Sequence, residues 1–124
     1  MENKAKILLI DDDETLLFNL ATYLTTNGYE VFPVSTIAHA LETLKKHSVD
    51  VAVVDYRLAR ESGVQAIAEI RTVQPIVPIV LMSAYLDEWV ETLVKGYKPY
   101  RCLRKPFAGQ ELLDRIKELI VVTA

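Results

Sequence analysis

Five short apolar runs alternate strictly with segments of helical periodicity, and this alternation constrains the fold more than any other feature. Short apolar runs bounded by turn residues are typical of strands buried in a parallel sheet. Strict β–α alternation with short connections predicts an α/β fold, a (βα)5 doubly wound parallel sheet. The strands are predicted at Lys6–Ile10, Glu30–Val34, Val51–Asp55, Pro78–Met82 and Arg101–Arg104. The helices are predicted at Glu14–Thr26, Thr36–His47, Val64–Val73, Leu86–Lys95 and Gly109–Val121.

The position of one proline helps to order these strands. Pro33 lies in the second strand, and a proline cannot donate a ladder hydrogen bond, so this strand is expected at a sheet edge. The flavodoxin-like order 2-1-3-4-5 meets that condition and places a topological switch point between strands 1 and 3. Because ligands bind outside the carboxyl ends of strands at such a point, Asp11, Asp12 and Asp55 are expected to share one pocket.

Bulk composition excludes several classes of protein. A chain of 124 residues fits one domain, expected to span residues 1–124, and a net charge of −3 gives no basic footprint for nucleic acid. No apolar run approaches the roughly 18 residues needed to cross a membrane, and Met1–Lys4 does not resemble a signal peptide. The single cysteine, Cys102, excludes an internal disulfide and favours a reducing compartment. We therefore expect a cytoplasmic domain that binds neither nucleic acid nor membrane directly.

The three carboxylates predict a cation site. Carboxylates this close repel one another unless a cation lies among them. Mg²⁺ prefers oxygen ligands and commonly takes one or two carboxylates with waters and phosphate oxygens. Asp12 and Asp55 can supply the carboxylates, with a backbone carbonyl from the loop after Asp55 as a further ligand. A carboxylate beside the metal can also attack phosphorus and form an aspartyl phosphate.

The ends of strands 4 and 5 add groups that suit a phosphoryl group. Lys105 follows strand 5 and can pair with one phosphoryl oxygen, and Ser83 follows strand 4 and can donate a hydrogen bond to another. Ala84 is small and leaves room for the phosphoryl group to enter. Positioning and charge neutralisation are what phosphoryl transfer mainly requires.

Five sequence pieces, in order and at matching spacing, resemble the response-regulator receiver domain of two-component signalling. The pieces are ILLIDDDE, VAVVDYRL, the Ser62-Gly63 pair, PIVLMSA and LRKPF, and the resemblance covers essentially the whole chain. It implies that Asp55 is the phosphoacceptor and that Asp12 ligates Mg²⁺ directly, with Asp11 holding metal-bound waters. It also implies that Arg57 offers its backbone carbonyl to the metal.

The resemblance implies a switch and its partners as well. Ser83 is the switch hydroxyl, Lys105 pairs with the phosphoryl group, and the Lys105–Pro106 bond is cis. A sensor histidine kinase or phosphotransfer protein is the phosphodonor. The surface of helix 4, strand 5 and helix 5 carries the output and is a possible homodimer interface. The domain is then a phosphoacceptor and not a turnover enzyme, although it assists its own phosphorylation and dephosphorylation. Across such a dimer, charged residues of this face can pair, or they can be simply solvated. They are Asp87, Glu88, Glu91, Arg101, Arg104 and Arg115.

Some positions depart from the family pattern. Ala59 stands where the family usually has proline, and Cys102 stands where it usually has an aromatic residue that reports phosphorylation. Tyr97-Lys98-Pro99 replaces the usual Gly-Ala before strand 5, which predicts a short helix 4. Tyr85 flanks the phosphoryl group in relatives, and its bulk predicts slow hydrolysis.

Two other functions fit part of the pattern. Asp11-x-Asp13-x-Thr15 resembles the first motif of haloacid-dehalogenase-type phosphatases, in which the first aspartate is the nucleophile and the second a general acid. That family would leave Asp55 without a role, and Asp13 fits a helix cap better. The other alternative is a receiver-shaped binding module that signals without phosphorylation, against which the complete set of site residues argues.

Overall fold

The sheet has the predicted order. The computed structural model describes residues 4–85 and 88–123, with side chains through residue 120. All strand pairs are parallel, in the order β2-β1-β3-β4-β5. The strands are β1 Lys6–Ile10, β2 Glu30–Val34, β3 Val51–Asp55, β4 Ile79–Ser83 and β5 Tyr100–Arg104. The helices are α1 Glu14–Thr26, α2 Ile37–Lys46, α3 Gly63–Val73, α4 Glu88–Val94 and α5 Gly109–Thr123, with a 3₁₀ turn at Lys95–Tyr97.

Element ends differ from the predicted bounds by one or two residues, for local reasons. Thr36 precedes α2 as its cap, because its hydroxyl accepts a hydrogen bond from the His39 amide. Ser83 belongs to β4 since it pairs with Arg104 of β5. α4 is short, as predicted, because the chain tightens into the 3₁₀ turn after Val94. The predicted start of helix 4 at Leu86 lies outside the described residues.

Helices cover both faces of the sheet, which explains why the inner strands β1, β3 and β4 are almost continuously apolar. Ile7 and Leu9 of β1 pack in the core beneath α1 and α5, and Leu8 and Ile10 pack in the core beneath α2, α3 and α4. All four side chains are fully buried, and each such burial stabilises the fold by about 1.5–3 kcal/mol.

The edge position of β2 is confirmed. Within the described residues β2 pairs with β1 alone, and Pro33 stands opposite Leu9. Pro33 is exposed, so its missing N–H leaves no buried ladder position unsatisfied. No helix in the described ranges has the length and apolarity to cross a membrane.

Candidate functional site

The three predicted carboxylates meet at the carboxyl ends of β1 and β3, which are neighbours in the sheet. Asp11 follows β1 and is fully buried, whereas Asp55 ends β3 and is 6% exposed. Asp12 is exposed at the rim. One carboxylate oxygen from each of the three lies within 4.8 Å of the others. The expectation from strand topology is therefore confirmed.

Local hydrogen bonds separate the roles of Asp11 and Asp13. Asp11 is held by its Oδ1, which accepts a hydrogen bond of 2.9 Å from the Asp13 amide. The Asp13 carboxylate instead caps α1 by accepting from the Leu16 amide at 3.1 Å. Asp13 is thus a helix cap, as the sequence predicted, and its carboxylate is engaged away from the acidic cluster.

Lys105 brings an ammonium group into the cluster of acidic residues. Its Nζ lies 3.0 Å from Asp55 Oδ1 and 3.4 Å from Asp11 Oδ2. Its amide donates to the Ser83 carbonyl at 2.8 Å, which places the side chain directly after β5. The Lys105–Pro106 bond is cis, as the resemblance implied; Lys98–Pro99 is also cis, which was not predicted.

Burial and neighbouring charges set the electrostatics of the pocket. Burial raises the pKa of Asp55, the negative charge of Asp11 adds to that rise, and the hydrogen bond from Lys105 opposes it. Burial would lower the pKa of Lys105, but its pairing with Asp55 and Asp11 outweighs burial, so the Lys105 pKa is raised. Lys105 therefore stays an ammonium beside the carboxylates across the neutral range.

The donor set fits a hard divalent cation. Three carboxylates face one ammonium group, so with all three ionised the cluster carries a formal excess of two negative charges. All the clustered donors are oxygens, which Mg²⁺ prefers over the nitrogen and sulfur ligands that softer metals take. A divalent cation relieves the repulsion that the single lysine leaves uncompensated.

A cavity of about 120 Å³ opens beside Asp55 and is lined in part by Ser83, Ala84 and Lys105. This volume exceeds the roughly 30 Å³ that one water occupies in the liquid, so a small group can enter. Ser83 is 2% exposed, and its hydroxyl accepts from the Tyr85 amide at 3.0 Å and donates to the Tyr85 carbonyl at 3.0 Å. Ser83 is therefore present in the pocket and bound to its own loop.

Two side chains lie against each other at the mouth of this cavity. The Arg57 guanidinium carbon is 5.2 Å from the centroid of the Tyr85 ring, within cation–π range, and both residues line the cavity. Tyr85 is 58% exposed, so the pair lies at the surface. The sequence placed each residue near the phosphoacceptor, but nothing in it indicated this contact, which joins two separate loops.

The loop after Asp55 closes tightly on the end of β3. Leu58 and Glu61 exchange backbone hydrogen bonds of 3.2 and 3.3 Å, and Arg57 forms a bridge with Ser62. Glycine is required at position 63, because a Cβ there would lie 2.3 Å from the backbone oxygen of Asp55. This close approach explains why glycine follows Ser62 in this loop.

Comparison with known proteins agrees with this geometry. The family model described as "Response regulator receiver domain" matches residues 7–117. The chain belongs to this family. As a receiver domain of two-component response regulators it is a signalling domain consistent with a phosphoacceptor role, and receiver domains bind Mg²⁺ at an acidic pocket of this kind.

Curated relatives are longer than this receiver domain. It is 38% identical over 122 residues to the transcriptional regulatory protein GlrR of Escherichia coli, covering 97% of this chain and 27% of that protein. It is 37% identical over 122 residues to GltR of Pseudomonas aeruginosa, covering 95% of this chain and 50% of that protein. The chain thus spans between a quarter and a half of these relatives.

Solved structures show the same fold. A response regulator receiver protein from Sinorhizobium medicae superposes with a TM-score of 0.85 at 31% identity, covering 98% of both chains. A receiver domain from Clostridium thermocellum superposes with a TM-score of 0.87 at 29% identity, covering 96% of both chains.

The departures from the family pattern have structural counterparts. Cys102 is half-buried and packs against the core on the α2–α3–α4 side; burial, and secondarily the charge of Glu91, raise its thiol pKa. Arg101 and Arg115, predicted as pairing across a dimer or as solvated, both contact Glu118 of the same chain, at 3.0 and 2.6 Å. Asp87, one of the acidic residues named with them, lies outside the described residues.

Proposed function

We propose that Asp55 accepts a phosphoryl group from a phosphohistidine of a sensor histidine kinase or phosphotransfer protein. An Asp55 carboxylate oxygen forms the new bond to phosphorus as the phosphorus–nitrogen bond to the donor imidazole breaks, and the imidazole leaves with that electron pair. The cavity beside Asp55 supports this step, because it gives the phosphoryl group a place next to the carboxylate.

Mg²⁺ would be held by Asp12, Asp55 and the Arg57 backbone carbonyl, with Asp11 orienting waters. When bound, it neutralises charge on the phosphoryl oxygens and orients them. The support is the oxygen-only cluster within 4.8 Å. Lys105, already 3.0 Å from Asp55, stays with the site and pairs with a phosphoryl oxygen.

Ser83 and Ala84 would then convert phosphorylation into a conformational change. The Ser83 hydroxyl exchanges its hydrogen bond to the Tyr85 carbonyl for one to a phosphoryl oxygen, and the small Ala84 makes room beside it. This exchange draws the loop after β4 toward Asp55. Since that loop leads into α4, the change biases the surface formed by α4, β5 and α5.

That surface is the proposed output. Trp89 of α4 is 65% exposed there, and the acidic side chains Glu88 and Glu91 lie on the same short helix. A homodimer through this surface remains a proposal, with the Arg101–Glu118 pair as a charge group that a second copy can engage.

We also propose that the domain works in the cytoplasm and does not itself bind nucleic acid, whereas the whole protein, like its transcriptional relatives, regulates transcription.

The observation that carries the proposal is the convergence of three carboxylates, one ammonium and a small cavity on Asp55. The test is intact mass after incubation with acetyl phosphate, with and without Mg²⁺. We expect a single Mg²⁺-dependent phosphate adduct in the parent and none in Asp55→Asn. An Asp55→Asn protein labelled as well as the parent contradicts the assignment.

The phosphatase alternative is tested in the same preparation. Its nucleophile would be Asp11 and its general acid Asp13, yet Asp13 caps α1. We expect no steady release of phosphate from p-nitrophenyl phosphate. Sustained turnover lost in Asp11→Asn would favour a phosphatase, and absence of any adduct on the folded parent would favour a phosphorylation-independent module.

A further inference from the structure

One guanidinium holds the segment that leads into β5. Arg71, in the last turn of α3, donates from Nη2 to the Tyr97 carbonyl at 2.7 Å and from Nη1 to the Lys98 carbonyl at 3.2 Å. Nη2 also donates to the Pro99 carbonyl at 3.4 Å, and Nε donates to the Val77 carbonyl at 2.8 Å. Three consecutive carbonyls of residues 97–99 therefore converge on one side chain.

The chemistry of arginine suits this arrangement. Its rigid planar fork donates several hydrogen bonds at once, and bonds from a charged donor are about twice as strong as neutral ones. Burial lowers the pKa of Arg71, with a smaller opposing effect from Tyr97, so the contacts are partly shielded from water. A lysine has the charge but lacks the fork that reaches separate carbonyls.

The contacts extend into the sheet. The Pro99 carbonyl that Arg71 contacts also accepts a hydrogen bond of 3.1 Å from the Ile79 amide at the start of β4. Pro99 has no N–H to offer, so its carbonyl is its only backbone hydrogen-bonding group. Arg71 thus reinforces the join of β4 and β5 at the end of the sheet opposite Asp55, while Lys105 follows the other end of β5.

We propose that Arg71 is a positioning residue that anchors the junction of α4 and β5, so that the carboxyl end of α4 is held in place when phosphorylation shifts the start of the helix. The loop after Ser83 moves at the start of α4, while residues 95–99 stay in place. The consequence for signalling rests on the proposed function; the anchor itself does not.

The anchor is tested by hydrogen exchange of the unphosphorylated chain, followed by mass spectrometry or NMR. We expect Arg71→Gln to accelerate exchange at least about tenfold at the Ile79 amide and in residues 95–104. Arg71→Lys, which keeps the charge, is expected to fall between the parent and Arg71→Gln. Should Arg71→Gln fail to fold, Arg71→Lys alone still decides the matter by local acceleration over the same residues.

Gln74 provides a matched control in the same part of the chain. Its Oε1 accepts from the Val49 amide at 3.1 Å, and its Nε2 donates to the Leu44 and His47 carbonyls at 3.3 and 2.9 Å. It therefore bridges the loop between α2 and β3 as Arg71 bridges the one before β5. Gln74→Ala should accelerate exchange in residues 44–50 and leave residues 95–104 at the parent rate.

A second comparison adds acetyl phosphate and Mg²⁺. In the phosphorylated parent we expect exchange to change along α4 but not in residues 95–99; in Arg71→Gln the change should spread through residues 95–104. Arg71 variants that exchange like the parent at Ile79 and residues 95–104, or only in proportion to global unfolding, overturn the anchor. A parent that takes no phosphoryl group instead refutes the proposed function and leaves the first comparison valid.

Discussion

The contact between Arg57 and Tyr85 should lengthen the lifetime of the phosphoryl group on Asp55. The two side chains meet at the mouth of the cavity, with the guanidinium carbon 5.2 Å from the ring centroid. Water that enters the cavity on this side can attack the phosphorus. Removing either partner, in Tyr85→Ala or Arg57→Ala, should let water in more often, while Arg57→Ala keeps the backbone carbonyl proposed to ligate Mg²⁺.

The exposure of the pair sets the size of the effect. Tyr85 is 58% exposed, and a cation–π contact at an exposed site is worth about 0.5–1 kcal/mol. Since 1.4 kcal/mol corresponds to a factor of ten, the arrangement in which Arg57 and Tyr85 are in contact is favoured over the separated one by roughly two- to fivefold. Each single variant should shorten the half-life of the aspartyl phosphate by about this factor, and the double variant should be no worse than the poorer single one, because the contact is lost once.

The assay follows loss of the phosphate adduct by intact mass after excess acetyl phosphate is removed, in Mg²⁺. Arg60→Ala is the control, because Arg60 is an exposed arginine of the same loop; it should decay like the parent. Single variants with the parent half-life, or a double variant whose effect is the product of the two singles, would refute the reasoning. Decay of the parent within seconds would contradict the slow hydrolysis predicted from the bulk of Tyr85.

Further predictions follow from other contacts. Gly63→Ala should lower the free energy of unfolding by about 1–3 kcal/mol in urea titration, because the new Cβ would lie 2.3 Å from the backbone oxygen of Asp55. Gly96→Ala is the control, because a Cβ there would have nothing within 4 Å, and its free energy of unfolding should stay within about 0.5 kcal/mol of the parent. Equal effects of the two substitutions would contradict this. Mg²⁺ at 100 times its Kd should stabilise the parent by about 2.7 kcal/mol and should stabilise Asp12→Asn far less. The same stabilisation in Asp12→Asn as in the parent would show that Asp12 is not a metal ligand. Since burial raises the pKa of Cys102, iodoacetamide should alkylate it more slowly than free cysteine at pH 8 and faster as pH rises further; a rate equal to free cysteine would contradict the burial.

Local sequence signals predicted the sheet and its acidic cluster because those features depend on short stretches of chain. Buried parallel strands need apolar runs, Pro33 fits only an edge, and parallel strands in the observed order bring Asp11 and Asp55 to one end. Element ends shifted where a cap or a cross-strand pair decided them, as at Thr36 and Ser83. Secondary-structure propensity alone does not predict such capping and cross-strand contacts.

Contacts between residues distant in sequence could not be read from the chain. The Arg57–Tyr85 pair and the Arg71 contacts with residues 97–99 depend on how separate loops approach one another. Glu118 forms ion pairs with both Arg101 and Arg115. The charge pattern alone did not distinguish whether these arginines pair across a dimer or are solvated. The direction of each pKa shift likewise depends on burial and on charged partners that several elements bring together, as at Asp55 and Lys105.

The fold class, the strand order and the groups at the carboxyl end of the sheet follow from the amino-acid sequence, because periodicity and strand ends are local properties of the chain. Three features depend on the folded structure: Ser83 is hydrogen-bonded to its own loop, Gly63 has no room for a Cβ, and Arg71 donates hydrogen bonds to residues 97–99. Hydrogen bonds and close contacts act over a few ångströms, and only folding brings groups that are distant in sequence within that range.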